Sequence, residues 1–274
     1  TFTAIPLFPA VISAEDIRRS GAQALPDVLR MVPGIEVAQI DSGRYAVSAR
    51  GFNGRFANKL QVLVDGRSIY RPTFSGVMWE NDPVALADIE RIEVIRGPGA
   101  AMWGVNAVSG VINIISKHSR DQAGGLVAPT FSSRGQHQFR GRYGGAAGPD
   151  TTWKLSFQGR RAGPSTQFAA NVDSQDRLHN DAMDFRLDSR LGDGELTLWA
   201  NAGESSMDDL VVAQVSPLPP LSLSAGSYQQ RSRSHTLASR YRWLTATGVE
   251  SSVQASFQDS SLDMSSMYRE DRQT

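Results

Sequence analysis

The sequence has no cysteine, which excludes a disulfide framework and a thiol nucleophile. It also has no apolar run near the roughly 18 consecutive residues that a transmembrane helix requires. Any contact with a bilayer would therefore be made through a β-barrel. The sequence has no net charge, because its 28 basic residues are matched by 28 acidic ones. This balance creates no general attraction for polyanions, so we expect no nucleic-acid partner.

Residues that usually build catalytic and metal sites are few and scattered. None of the four histidines has the spacing of a metal-binding pair: His118, His137, His179 and His235. No serine lies in a G-x-S-x-G elbow, and Gly97-Pro98-Gly99 lacks the third glycine of a dinucleotide fingerprint. We therefore expect no metal, no cofactor and no enzymatic activity.

Up to about residue 119 the sequence mixes helix and strand signals. Ser13 and Asp16 form a capping-box pattern that predicts a short helix ending at Gly21. A second helix is predicted from apolar residues on one face, namely Leu25, Val28, Leu29 and Val32. Strands are predicted at Ile35–Val37, Ala46–Ala49, Leu60–Val64, Ser68–Tyr70, Arg91–Ile95 and Val111–Ile115. Asp65-Gly66 is a hairpin signal. The first half therefore reads as a small mixed α/β domain.

Beyond that point the pattern changes to strict alternation, with Trp153, Leu155 and Phe157 as one example. The predicted strands run about 10 to 12 residues, long enough for a tilted strand to cross a membrane. Tight connections at 148–150, 192–194 and 245–248 alternate with long polar ones at 163–180 and 205–232. This is typical of outer-membrane barrels, in which Trp153 and Trp243 would belong to an interfacial aromatic girdle.

About seven strands can be counted between Gly124 and Asp259. Bacterial barrels have even strand numbers and must close, because an open edge in lipid leaves backbone groups without hydrogen bonds. We therefore expect the chain to stop within a barrel, in an extracellular loop after Ser260.

Six segments resemble, in order and at matching spacing, the plug domain of TonB-dependent outer-membrane receptors. They include IERIEVIRGPGA at Ile89–Ala100 and WGVNAVSGVINII at Trp103–Ile115. The other four are Val11–Ile17, Asp27–Ile35, Arg50–Phe52 and Val62–Gly66. The resemblance implies a mixed α/β plug domain at residues 1–119, followed at 120–274 by the N-terminal part of a transmembrane antiparallel β-barrel of roughly 22 strands.

The resemblance also implies a function, a location and partners. Such a receptor lies in the bacterial outer membrane in contact with its lipid, binds a scarce ligand and imports it into the periplasm. The energy comes through TonB, whose contact box in this family precedes the plug and is not visible ahead of Phe2. A ferric siderophore, an iron chelate, is the expected ligand. Cobalamin, haem, another metal chelate or an oligosaccharide is the alternative.

Two functions of a different class compete with the receptor. A passive porin would not begin with a domain of about 115 residues that has its own helix caps and core. A soluble α/β enzyme fused to a β domain would not alternate charged and lipid-compatible residues over seven long strands. Loss of activity without TonB would distinguish a receptor from a porin.

The ligand is expected at loops that follow plug strands, at Asn53–Lys59 and Tyr70–Trp79. Their candidate ligand-binding residues are Arg55, Phe56, Asn58, Tyr70, Arg71, Phe74 and Trp79. Aromatic rings beside arginines suit an anionic, ring-bearing ligand, although each residue could equally be an ordinary loop residue. The resemblance further implies that Arg50 and Arg96 contact carboxylates on barrel strands. The alternative is that one or both are solvated.

Overall fold

The computed structural model describes residues 9–273 except 52, 72–73, 82–83, 98–102, 105, 133–134, 168–171, 215–222 and 265–267. The chain divides into two compact units. The first unit comprises the residues up to Ile40 and Arg44–Lys117, and the second comprises Asp41–Gly43 and the residues from His118 onward. No helix in the described part of the chain is long and apolar enough to span a membrane.

Two short helices lie near the start of the described part of the first unit, α1 at Ala14–Ser20 and α2 at Leu25–Leu29. The predicted capping box of α1 is confirmed. The Asp16 amide donates to Ser13 Oγ over 3.2 Å, and the Ser13 amide donates to the Asp16 carboxylate over 3.0 Å. Gly21 ends α1 with a φ of +67°, a left-handed conformation that glycine adopts without steric cost.

Seven strands are present in the part of the first unit that the structure describes: β1 Ala10–Ser13, β2 Ile35–Gln39, β3 Tyr45–Ala49, β4 Leu60–Val64, β5 Arg67–Ser68, β6 Ile89–Arg96 and β7 Gly110–Ser116. Five form a sheet in the order β1-β6-β7-β4-β5, in which only β4 and β7 are parallel, while β2 and β3 form a separate hairpin. The hairpin turn at Asp65-Gly66 is confirmed, with both residues at positive φ. The returning strand has only two residues and begins before the predicted Ser68.

Both helices and the five-stranded sheet share one hydrophobic core. It includes Ile17 of α1, Val28 and Leu29 of α2, and Ile92 and Ile112 of the sheet, all at most 6% exposed. The apolar helix face and the continuous apolar strands of the sequence thus meet, as expected for a small domain with its own core.

The described residues of the second unit form ten strands: β8 Gly124–Phe131, β9 Gln136–Ala146, β10 Thr151–Ala162, β11 Thr166–Gln167, β12 Val172–Asp173, β13 Leu178–Leu191, β14 Gly194–Gln214, β15 Leu223–Leu244, β16 Glu250–Met264 and β17 Tyr268–Gln273. Eight of them form one antiparallel sheet in the order β8-β9-β10-β13-β14-β15-β16-β17. The strands β11 and β12 form a small hairpin of their own.

The two faces of the large sheet differ in polarity, as the alternation predicted. The apolar face carries Phe157, Met183 and Leu237, which are 44–61% exposed, whereas Lys154 and Asp188 on the polar face are buried. Near the tight turns the apolar face carries two aromatic pairs, Tyr143 with Trp153 and Tyr241 with Trp243, with ring centroids 6.0 and 5.5 Å apart. Trp153 and Trp243 therefore lie where an interfacial girdle is expected.

The long polar connection predicted at 205–232 is mostly strand. β14 continues to Gln214 and β15 begins at Leu223, and the two strands pair without interruption from Gly194 to Gln214. Antiparallel pairing satisfies the backbone hydrogen bonds whatever the side chains are, so a ladder can continue where the alternation of polarity fades. The point at which the sequence becomes uniformly polar therefore marks the end of the apolar face and not the end of the strand.

Candidate functional site

Two predicted ligand residues from different loops of the first unit form an aromatic pair. The rings of Phe56 and Phe74 stack with centroids 5.1 Å apart and planes 23° apart. Gly76 permits this approach, because a Cβ at that position would lie 2.9 Å from the Phe56 Cα. The Arg71 amide donates to the Gly76 carbonyl over 2.8 Å and closes the loop. The sequence placed both rings in candidate loops, but their contact depends on the fold.

Arg55 lies against this pair and forms an ion pair with the buried carboxylate of Glu80. Its guanidinium carbon lies 4.9 Å from the centroid of the Phe56 ring, a cation–π distance. Its Nη2 donates to Glu80 over 3.1 Å, and the Glu80 side chain is only 3% exposed. The charge of Arg55 is thus offset within the first unit, and we call Arg55, Phe56, Phe74 and Glu80 the aromatic cluster.

The remaining predicted ligand residues occupy different environments. Tyr70 and Arg71 are half-buried, and Asn58 is exposed. Trp79 is 4% exposed and packs in the hydrophobic core, so it has almost no surface to offer and we leave it out of the candidate site. A groove of about 530 Å³ brings Phe56 and Asn58 together with Arg50 and Lys59.

The two arginines that the resemblance implies as plug–barrel contacts both end strands of the first unit. Arg50 follows β3, is exposed and has a φ of +61°. Arg96 ends β6, is also exposed, and donates from Nη1 to the carbonyl of Pro33 over 2.7 Å. Arg96 therefore has a backbone partner within its own unit.

A polar network in the second unit was missed by sequence reasoning. Asp188 accepts hydrogen bonds from the amide and hydroxyl of Ser119, at 2.9 and 2.7 Å, and from Nε and Nη2 of Arg186, at 2.8 and 2.9 Å. Glu195 accepts from Arg242 over 2.7 Å and lies 2.7 Å from Nε2 of His118. Asp188 and Ser119 are 69 residues apart, and no local sequence signal marks such a pair.

Within the described residues, His118, Asp188 and Glu195 have the spacing of metal ligands, with one atom from each lying within 4.8 Å of the others. The chemistry does not favour a cation. Arg186 and Arg242 already balance the two carboxylates, and Nδ1 of His118 accepts a hydrogen bond from the Arg120 amide over 3.0 Å. The group is better described as an anchor that ties the segment after Lys117 to β13 and β14, and we call it the Asp188 anchor.

A second network of the same unit centres on Asp176, which precedes β13. Its carboxylate accepts from the amides of Ser42 and Ser165, at 2.9 and 2.7 Å, and from the Ser165 hydroxyl at 2.7 Å. Burial acts to raise the pKa of Asp176, but the hydrogen bonds from Ser165 and Ser42 outweigh burial and hold this pKa below its usual value. The turn Asp41–Gly43 is thereby fixed by a charged acceptor.

Comparison with known proteins identifies the family. A family model described as TonB-dependent Receptor Plug Domain matches residues 5–111. The chain is 40% identical over 130 residues to the vitamin B12 transporter BtuB of Vibrio vulnificus (strain CMCP6), over 47% of this chain and 20% of that protein. The chain belongs to the TonB-dependent receptors. This is a family of outer-membrane transporters rather than a class of enzymes.

Other relatives agree with this assignment. The vitamin B12 transporter BtuB of Photobacterium profundum is 29% identical over 205 residues, which cover 73% of this chain and 33% of that protein. The chain thus spans a fifth to a third of the length of these two curated relatives. Its receptor family places it in the bacterial outer membrane.

Solved receptor structures share the fold. The ferric yersiniabactin uptake receptor FyuA of Yersinia pestis superposes with a TM-score of 0.68 at 18% identity, over 95% of this chain and 42% of that one. A ferric enterobactin receptor of Pseudomonas aeruginosa gives 0.66 at 20% identity, over 93% and 41%. At such identities the likeness concerns the fold, a plug domain with strands of an antiparallel barrel.

We predict that replacing Arg50 and Arg96 together by alanine makes the receptor leak. Removing one partner of an enclosed arginine–carboxylate contact costs about 3–5 kcal/mol, which would loosen a plug held by two such contacts. Uptake of a large antibiotic by cells that carry the double variant should rise above wild type. The matched control is Arg18→Ala with Arg19→Ala, because these arginines pair with Glu15 on the same helix. Equal permeability of the two double variants would show that Arg50 and Arg96 do not tether the plug.

Proposed function

We propose that the complete receptor imports a corrinoid of the vitamin B12 class into the periplasm with energy delivered by TonB. By complete receptor we mean a chain of the length of the relatives that carries these 274 residues. The observation that carries the proposal is the 40% identity over 130 residues to a protein named a vitamin B12 transporter. The relative from Photobacterium carries the same name.

The aromatic cluster supports the same ligand class. The stacked rings of Phe56 and Phe74 are apolar and only half-buried, and the charge of Arg55 is offset by the buried carboxylate of Glu80. An anionic ligand that bound Arg55 would weaken the ion pair between Arg55 and Glu80. The buried carboxylate of Glu80 would then lose part of its charge compensation, which is unfavourable. A large ring system with little net charge can lie on the aromatic cluster without disturbing the ion pair.

A ferric siderophore is the second candidate. The groove beside the aromatic cluster contains Arg50 and Lys59 together with Phe56 and Asn58. Two cationic side chains beside an aromatic ring suit an anionic iron chelate. The two siderophore receptors named above share 20% and 18% identity with this chain and therefore support only the fold.

Uptake by cells that lack their own corrinoid receptor tests the proposal. Expression of the complete receptor should give uptake of radiolabelled cyanocobalamin at nanomolar concentration, and deletion of TonB should abolish it. Uptake that persists without TonB would indicate a passive pore. Uptake of ferric enterobactin but not of cyanocobalamin would overturn the corrinoid assignment and support the second candidate.

A further inference from the structure

The loop that follows β3 contains an asparagine directly before a glycine. Asn53 precedes Gly54, and the sequence has no other Asn-Gly pair. The side-chain amide of an asparagine is an electrophile that the backbone nitrogen of the next residue can attack, which closes a five-membered ring. A glycine in second place favours this closure, because it has no Cβ and its backbone adopts conformations that other residues rarely reach. The pair can therefore react without any other protein group.

The fold leaves this pair exposed and without hydrogen bonds. Asn53 is exposed, and both residues lie outside the helices and strands. Among the described residues, neither the Asn53 side chain nor the Gly54 amide makes a hydrogen bond. A Cβ on Gly54 would have no heavy atom within 4 Å, so the Asn53 side chain has room to turn toward the Gly54 amide. No existing contact has to break before the two groups meet.

Two related positions of the first unit lack one or other of these conditions. Asn58 lies in the same loop and is also exposed, but it is followed by Lys59, whose Cβ hinders ring closure. Asp65 precedes a glycine, but its carboxylate accepts hydrogen bonds from the amide and hydroxyl of Ser116, at 2.9 and 2.8 Å. Asn53 combines the reactive sequence with an unrestrained environment.

We propose that Asn53 is a site of spontaneous deamidation. The Gly54 amide nitrogen gives its proton to a base in the solvent and bonds to Cγ of Asn53, and the side-chain nitrogen takes a proton and leaves as ammonia. Water then opens the resulting succinimide at one of its two carbonyls. One opening gives aspartate, and the other gives isoaspartate, in which the backbone contains one additional carbon atom. The net change consumes one water and releases one ammonia, without an oxidant or a metal.

The reaction changes the loop that carries part of the aromatic cluster. The groove of about 530 Å³ is lined by chain on both sides of the pair, with Arg50 before it and Phe56 and Lys59 after it. A carboxyl group at position 53 is ionised at neutral pH, so it adds a negative charge between these cationic residues. An isoaspartate also lengthens the backbone three residues before Phe56, whose ring stacks on Phe74. The reacted receptor is therefore expected to bind its ligand more weakly.

Peptide mass spectrometry of the purified complete receptor, incubated in detergent at mildly alkaline pH, tests the proposal. Trypsin cleaves after Arg50, Arg55 and Lys59, so Asn53 and Asn58 are measured in separate peptides. The Asn53 peptide should gain one mass unit and separate into two products, at least about tenfold faster than the Asn58 peptide reacts. Digestion in heavy-oxygen water marks any reaction that occurs after cleavage. An unreacted Asn53, or equal rates at the two asparagines, would overturn the proposal.

Gly54→Ala is the matched control, because its Cβ meets no other atom and the φ of Gly54 is not positive. This variant should slow the reaction at Asn53 by about tenfold or more.

The effect on ligand binding rests on the proposed corrinoid function. After the same incubation, affinity for cyanocobalamin should fall about threefold or more in the wild type and keep its initial value in Gly54→Ala. An equal loss in both would show that deamidation does not alter binding. Fresh receptor that binds no cyanocobalamin would count against the corrinoid proposal alone, because the peptide masses decide the deamidation by themselves.

Discussion

Replacing Phe56 and Phe74 together by alanine is expected to lower the affinity of the complete receptor for cyanocobalamin by about a hundredfold or more. An aromatic side chain that a ligand covers contributes about 1.5–3 kcal/mol through apolar burial. Loss of two such rings costs roughly 3 kcal/mol at the least, which is a hundredfold in the dissociation constant. Calorimetric titration of the purified receptor measures this change.

A substitution at Gly76 should disturb the stacking of the two rings without removing either ring. Gly76→Ala places a Cβ within 2.9 Å of the Phe56 Cα and must shift the Phe56 backbone, so a smaller loss of affinity is expected. The matched control is Phe131→Ala with Phe139→Ala, two exposed rings of the second unit. Affinity for cyanocobalamin that is unchanged in the Phe56 and Phe74 variant would place the ligand elsewhere, even if uptake remains TonB-dependent.

Replacing Asp188 by alanine is expected to lower the free energy of unfolding of the receptor in detergent by about 3–5 kcal/mol. This cost arises because Arg186, which is 6% exposed at its side chain, loses the carboxylate that both Nε and Nη2 contact. The amide and hydroxyl of Ser119 lose their acceptor in the same step. Urea unfolding followed by tryptophan fluorescence measures the change.

The same strand offers a control with identical chemistry at an exposed site. Asp181 makes two bonds to Arg161, but the two side chains are 45% and 43% exposed. Asp181→Ala should therefore cost under about 1 kcal/mol, as exposed ion pairs do. A similar loss in both variants would mean that burial does not strengthen the contacts of the Asp188 anchor.

The sequence by itself determined the features that depend on neighbouring residues. The capping box of Ser13 and Asp16, the hairpin turn at Asp65-Gly66 and the alternation around Trp153 are local patterns, and the structure reproduces each of them. The family resemblance was equally readable, since its segments lie in fixed order along the chain. Strand length was predicted less well, because β14 and β15 continue through polar sequence.

The candidate site was only partly readable from the sequence. Phe56, Phe74 and Arg55 were placed in exposed loops, and these residues do meet. Trp79 was placed with them, but its ring lies in the core. An aromatic residue in a loop serves equally well as a core residue or a binding residue, and only the packing around it decides between the two.

The tertiary structure alone decided which distant charges meet. Glu80 lies 25 residues from Arg55, and Asp188 lies 69 residues from Ser119. The register of β14 and β15 places Arg231 and Arg233 beside Glu204. Such contacts depend on the order of the strands and on their register, because a register shift of one residue moves every side chain of a strand to the other face of the sheet. Neither the order nor the register can be read from a short stretch of sequence.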